Sequence, residues 1–339
     1  DRLNRQGTLV PPCVGNIGID GDEGERCRVL FTWSATDFMG TGSDFNKPVE
    51  FGAVPLRSFG DPLKHAGHGM AGALVIGPEG SHVCDDDRYA YPLQRSDGSP
   101  LTDADGTPVR MTEGPSTEIC TSDGRRYVDH AIIVQDAVFA THGGLPVENL
   151  SGAEEPDDYG VKAMNFKTEP LWARTGGDPS IGFPERNEHD QADMLSSAQV
   201  GAGAALRCVA GVRPNDALAN ACDPETPVLS ANTGETVRLH FVHPGGHTRQ
   251  QGLAVSGHAW NPYPWKQGSR VLDPAAGSGI RQGVYNGFGP MMGVTMQVVA
   301  GGEADAALDY LIRSQASFLF DGGLWGIFRV KDGAANAGR

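Results

Sequence analysis

The stretch Asp61-Pro-Leu-Lys-His65-Ala-Gly-His68-Gly-Met70-Ala-Gly-Ala-Leu-Val-Ile76 decides how the rest of the chain is read. Its end, Gly72-Ala-Leu-Val-Ile-Gly77, has the composition of a buried strand. Its front places His65 and Met70 in an H-x-x-x-G-M spacing, with His68 between them. An imidazole nitrogen and a thioether sulfur on one tight loop at a sheet edge are donors that a copper site uses, together with a thiolate. The position five before His65, where such a loop carries its cysteine, is Gly60. The segment reads as a copper loop without its strongest ligand.

Composition sets the frame for that loop. At 339 residues the chain is long enough for two medium domains with real cores. Gly 47 and Pro 23 make it turn-rich without reaching low complexity, and Val, Leu and Phe are plentiful, so the expectation is a mostly β globular protein. A net charge of −15, from 27 basic against 42 acidic residues, argues against nucleic-acid or anionic-membrane binding and admits cationic partners. No apolar run approaches the length of a transmembrane helix.

The six cysteines fall into close pairs, Cys13 with Cys27, Cys84 with Cys120 and Cys208 with Cys222, and none has zinc-finger spacing. Neighbour pairing is the simplest of the about 15 connectivities that six cysteines permit, and buried free thiols are the alternative. A disulfide framework points to an extracytoplasmic protein whose leader has been removed.

Two blocks of strands organise the chain: residues 1–125 and residues 126–339, the second with a long polar insertion at about 150–225. The first contains Cys27-Arg-Val-Leu-Phe-Thr-Trp33 and two D-G turn signals between Ser96 and Pro108. The second begins near Tyr127 and shows clear strand patterns at Glu235–Val242, Leu253–Ser256, Gly293–Val299 and Leu324–Val330. Helix is expected only near Asp190–Ala204 and Glu303–Leu311. The fold class is all-β, as tandem Greek-key β-sandwiches.

Three segments in this order resemble the cupredoxin domains of a multicopper oxidase, of the large multidomain kind related to bacterial manganese oxidases. They are Phe51–Pro78, Gly245-Gly-His247-Thr-Arg-Gln-Gln-Gly-Leu-Ala-Val-Ser-Gly-His258-Ala-Trp260, and Asp309–Val330. The resemblance implies copper, one-electron oxidation of Mn²⁺, Fe²⁺ or a phenol, and reduction of O₂. It also implies a longer polypeptide or other subunits that supply the remaining cupredoxin domains, the first sandwich being incomplete here.

The departures matter as much. A three-copper cluster needs paired H-x-H motifs, and none occurs among the ten histidines. Where the family pattern reads H-G-H, this chain has Ser256-Gly-His258; in the last loop, the family's cysteine and histidine positions are Ser314 and Leu319. Both blue-copper loops read as dismantled, so this segment is expected to be mainly scaffold, and the alternative is a copper-free structural or binding module of an extracellular assembly.

Two donor sets remain as metal candidates. His65, His68 and Met70 share the first loop, with His68 a possible substitute for the missing cysteine. His243 and His247 flank Pro244-Gly-Gly246 and are candidates to converge with His258; the alternative is that their rings satisfy loop backbone groups. His82, His130, His142, His189 and His240 lack ligand spacing and read as surface or hydrogen-bonded residues. The acidic runs Asp85-Asp-Asp87 and Glu154-Glu-Pro-Asp-Asp158 would suit Mn²⁺ or Ca²⁺, or else are solvated faces. No G-x-G-x-x-G, Walker, G-x-S-x-G or H-E-x-x-H pattern appears. Thiol titration of the denatured, unreduced chain is expected to find almost no free cysteine; six reactive thiols would overturn both the framework and the exported address.

Overall fold

Alternation along Thr236-Val-Arg-Leu-His-Phe-Val242 shows how the interior is made: Val237, Leu239 and Phe241 are fully buried on one face, while Arg238 and His240 point to the other. The structure is a computed structural model. It describes residues 52–58, 60–61, 64–92, 99–100, 102, 110–112, 114–138, 141–142, 145–146, 161–171, 223–245, 250–261 and 281–333. Cys13, Cys27, Cys208, Cys222, His189, His247, the acidic run from Glu154 and the helix expected at Asp190–Ala204 lie outside the described residues.

Numbered in chain order, β1 (Gly52–Arg57) and β2 (Ala71–Ile76) pair antiparallel, with the one-turn helix α1 (Lys64–Gly67) in the loop between them. Then come β3 (His82–Val83), β4 (Ala90–Pro92), β5 (Arg110–Thr112), β6 (Ser116–Cys120) and β7 (Arg126–Val138). Two short strands, β8 (Thr141–His142) and β9 (Leu145–Pro146), precede β10 (Val161–Met164). The later strands are β11 (Val228–Asn232), β12 (Thr236–Val242), β13 (Gln251–Val255), β14 (Val284–Phe288) and β15 (Gly293–Val299). The last pair is β16 (Asp309–Ser314) and β17 (Trp325–Lys331), joined through helix α2 (Ser317–Asp321).

Two main sheets result. One runs β15-β12-β7-β6-β3, with β10 also paired to β7; the other runs β11-β17-β16-β13-β14. Pairing is parallel between β12 and β7 and between β11 and β17, and antiparallel elsewhere. The chain passes from one sheet to the other between β11 and β12, again between β12 and β13, and later between β14 and β15 and between β15 and β16. Both inner faces feed one core: Ile132 of β7, Leu239 and Phe241 of β12, Leu253 of β13, Ile312 of β16 and Phe328 of β17 belong to the same buried cluster. Burying each such side chain contributes about 1.5–3 kcal/mol relative to exposure. The all-β sandwich expectation therefore holds.

Residues Val49–Arg339 form one compact unit. The boundary expected at 125/126 passes between β6 and β7, which are hydrogen-bonded neighbours in one sheet. Cys84, just after β3, is bonded to Cys120 at the end of β6, one of the three pairs expected. The β1–β2 hairpin lies against β15: a Cβ added at Gly293 would collide with the Ala53 carbonyl oxygen, so only glycine allows that approach.

Two local readings need correction. Val161–Met164 falls within the stretch read as a polar insertion, yet all four residues are buried in a strand. Four residues are too few to display a period. The helix expected at Glu303–Leu311 is a single 3-10 turn, Gly302–Ala304, followed by β16. Gly301, Gly302 and Asp305 all have positive φ, which a right-handed helix does not accept, and Asp309–Ser314 alternates with period two.

His130, inward-facing on β7, is fully buried, with Nδ1 2.8 Å from the Ser116 hydroxyl. Burial first, then the neighbouring His240, lowers its pKa from 6.5 to about 3. The folded chain thus refuses a proton that the unfolded chain accepts. This stability is complete above pH 6.5 and is lost as pH falls toward about 3. Urea midpoints at pH 7 and pH 5 are expected to differ less in His130→Asn than in the parent; equal sensitivity would contradict the assignment.

Candidate functional site

The β1–β2 loop is closed by its own backbone: His65 N–H donates to Asp61 O (3.0 Å), His68 N–H to Lys64 O (2.9 Å) and Met70 N–H to His65 O (2.8 Å). The His65 ring is turned into this turn, Nδ1 lying 2.8 Å from Ser58 Oγ and accepting the Asp61 N–H at 3.3 Å. His68 is exposed, and Met70 is 55% exposed. A Cβ at Gly60 would stand 3.2 Å from His65 Cε1 and 3.6 Å from Nδ1. The place for a thiolate thus adjoins the imidazole, and glycine occupies it. One inward-turned imidazole and an exposed thioether do not make the two-histidine, one-thiolate set of a blue copper site.

The second loop, β16–α2–β17, forms the strand–turn–strand that its sequence implied. Ser314 N–H donates to Leu324 O (3.1 Å) and Leu324 N–H to Leu319 O (2.9 Å), folding the loop back on itself. Ser314, Leu319 and Leu324 are all fully buried. Leucine side chains occupy the loop, and among the described residues the Ser314 hydroxyl has no hydrogen-bond partner. Copper finds neither thiolate nor imidazole in these two positions.

His243 and His258 are not brought together. His243 follows β12 and exchanges backbone hydrogen bonds with Met291 and Met292, just before β15. His258 packs on Tyr310 at 4.5 Å and on Phe328 at 5.3 Å, beside Gly302. That corner joins the start of β12, because Ala300 N–H donates to Glu235 O. The seven residues of β12 separate the two ends by about 20 Å. His258 Nδ1 lies 2.9 Å from Ser256 O; burial lowers its pKa, and the Ser256 carbonyl partly offsets this. His243 instead meets Asp136 of β7, its Nε2 3.5 Å from Oδ2, both side chains almost wholly buried.

His240 is hydrogen-bonded, as its lack of ligand spacing suggested, but spacing did not reveal its partners. On the outer face of β12 it bridges three strands, with Nε2 2.9 Å from Asp129 Oδ1 and Nδ1 2.7 Å from Thr295 Oγ1. A cavity of about 430 Å³ beside it is lined by His82, Tyr127, Asp129 and Val75 of β2, among others. Nothing in the sequence around His240 separates it from other outward positions of a strand; only pairing with β7 and β15 brings Asp129 and Thr295 to it. In the Asp85–Asp87 run, Asp86 pairs with Arg126, and Asp87 accepts from Thr117 Oγ1 (2.6 Å) and Tyr89 N–H (2.8 Å). Among the described residues no group of three or more His, Cys, Asp or Glu side chains is placed to hold a metal ion. No described helix is long and apolar enough to cross a membrane.

No family model matches the chain, and no curated protein matches it. Solved structures do match, among them dithionite-reduced auracyanin from the photosynthetic bacterium Roseiflexus castenholzii. It is 16% identical, with a TM-score of 0.21, and the match covers 30% of this chain and 82% of that one.

A buried hydroxyl without a partner carries its desolvation penalty unrelieved. Ser314→Ala is therefore expected to leave stability within about 1 kcal/mol of the parent or to raise it. A loss of several kcal/mol in denaturant unfolding would show that Ser314 has a partner.

Proposed function

We propose that this chain is the scaffold segment of a multicopper-oxidase-type oxidoreductase, carrying two cupredoxin-type loops whose copper donors have been replaced. The carrying observation is the interior of the β16–α2–β17 loop, where Ser314 and Leu319 are fully buried among leucines. A side chain packed this way contributes to the core and offers a metal nothing to bind. In a complete oxidase of this kind copper carries electrons from a metal ion or phenol to O₂; in this reading those sites belong to other domains. The Cys84–Cys120 disulfide supports an extracytoplasmic setting.

A second reading, a copper-free structural or binding module of an extracellular assembly, draws on the same filled loop. The two part on what the rest of the polypeptide carries, and the copper chemistry of this chain tests the feature they share. After reconstitution with Cu²⁺ under oxidising conditions, the chain is expected to show only pale, weakly held cupric ion by visible absorption and electron paramagnetic resonance. An intense thiolate–copper band would overturn both readings and show that a cysteine reaches one of the loops.

A further inference from the structure

Four inward-facing polar side chains gather toward one end of the sandwich, from both sheets. Asp136 continues the buried face of Ile132 and Val134 on β7, and His243 continues that of Leu239 and Phe241 on β12. Opposite them, Gln251 shares the inner face of β13 with Leu253, and Ser314 ends that of β16. Phe288 links the groups: it is the β-partner of Gln251, and its ring centre is 5.9 Å from that of His243. Among the described residues, Asp136 Oδ2, His243 Nε2 and both amide atoms of Gln251 are buried and have no hydrogen-bond partner. Native interiors leave few such atoms, and a cluster of them points to a missing ion or water.

The separation of the first two atoms favours an ion. Asp136 Oδ2 and His243 Nε2 are 3.5 Å apart, outside ordinary hydrogen-bond range, with their side chains 4% and 0% exposed. Two ligands bound to one tetrahedral cation at about 2.0–2.1 Å stand about 3.3–3.4 Å apart. We propose that this end of the sandwich binds a divalent cation of the zinc type, held by Asp136 Oδ2 and His243 Nε2, with Gln251 Oε1 or water completing the shell. The cation would give the buried Asp136 Oδ2 and His243 Nε2 a common partner. The donor set is nitrogen and oxygen alone, unlike the thiolate set of a blue copper site. His243 Nδ1 now accepts a long contact from the Gly245 N–H at 3.3 Å. On coordination the ring proton moves from Nε2 to Nδ1, and that contact is given up.

The test uses the full chain, stripped with a chelator, refolded with and without Zn²⁺, and measured by elemental analysis and competition with a chromophoric chelator. One Zn²⁺ per chain and a raised thermal midpoint are expected. Asp136→Asn and His243→Gln are each expected to weaken binding by about 100-fold or more, at least matching the loss seen when outer-shell partners of a metal are removed. His68→Gln, on the exposed loop, is expected to leave binding unchanged. In case the buried variants fail to fold, Co²⁺ replaces Zn²⁺ in the unmodified chain, where the strong visible bands of tetrahedral Co²⁺ are expected. No stoichiometric Zn²⁺, undiminished binding in both folded variants, or only the weak octahedral Co²⁺ spectrum would overturn the site. A blue copper band leaves this result untouched, since it concerns the proposed function alone.

Discussion

The fold depends on one interior shared by two sheets. β12 is central to it: it lies parallel to β7, antiparallel to β15, and sends Val237, Leu239 and Phe241 toward β13, β16 and β17. Because the chain changes sheet on both sides of β12, neither sheet can bury its inner face without the other. The Arg329 guanidinium, clamped between Asp223 and Asp309, and the Arg88–Glu235 pair fasten the margins of this arrangement. The Arg88–Glu235 charges are partly exposed, so that pair serves register more than stability, whereas Arg329 is buried.

The same constraint explains what became of the loops. A loop closing a sandwich is filled either by a bound group or by side chains, and a void would cost packing. At β16–α2–β17 leucines fill it. At the end reached by β7 and β12, polar groups face inward instead, and the interior there is incomplete by its own hydrogen-bonding rules. The β1–β2 loop differs again: its donors are largely at the surface, and His65 is held by Ser58 and Asp61 as an element of the turn.

Sequence reading found β7, β12, β13, β15 and β17 because each is an apolar, strand-prone run bounded by turn residues. The Cys84–Cys120 pairing followed from proximity in the chain, and here proximity matched the geometry of β3 against β6. Val161–Met164 escaped notice because its burial comes from β7, not from its own pattern. The helix expected at Glu303–Leu311 failed at Asp305, whose left-handed conformation composition does not report. Site residues were harder. His243 was legible as a histidine beside a Gly-rich turn, but its partner Asp136 stands over a hundred residues away and could be found only through the parallel β7–β12 register. His240 with Asp129 was hidden for the same reason.

Native-state hydrogen exchange tests the shared interior most directly. If both sheets depend on one core, the central amides of β7, β12, β16 and β17 open only with global unfolding, at one common free energy and with the same denaturant dependence. Exchange of β6 and β7 through a separate, lower-energy opening, while β12, β16 and β17 stay protected, would contradict it and divide the sandwich into independent parts.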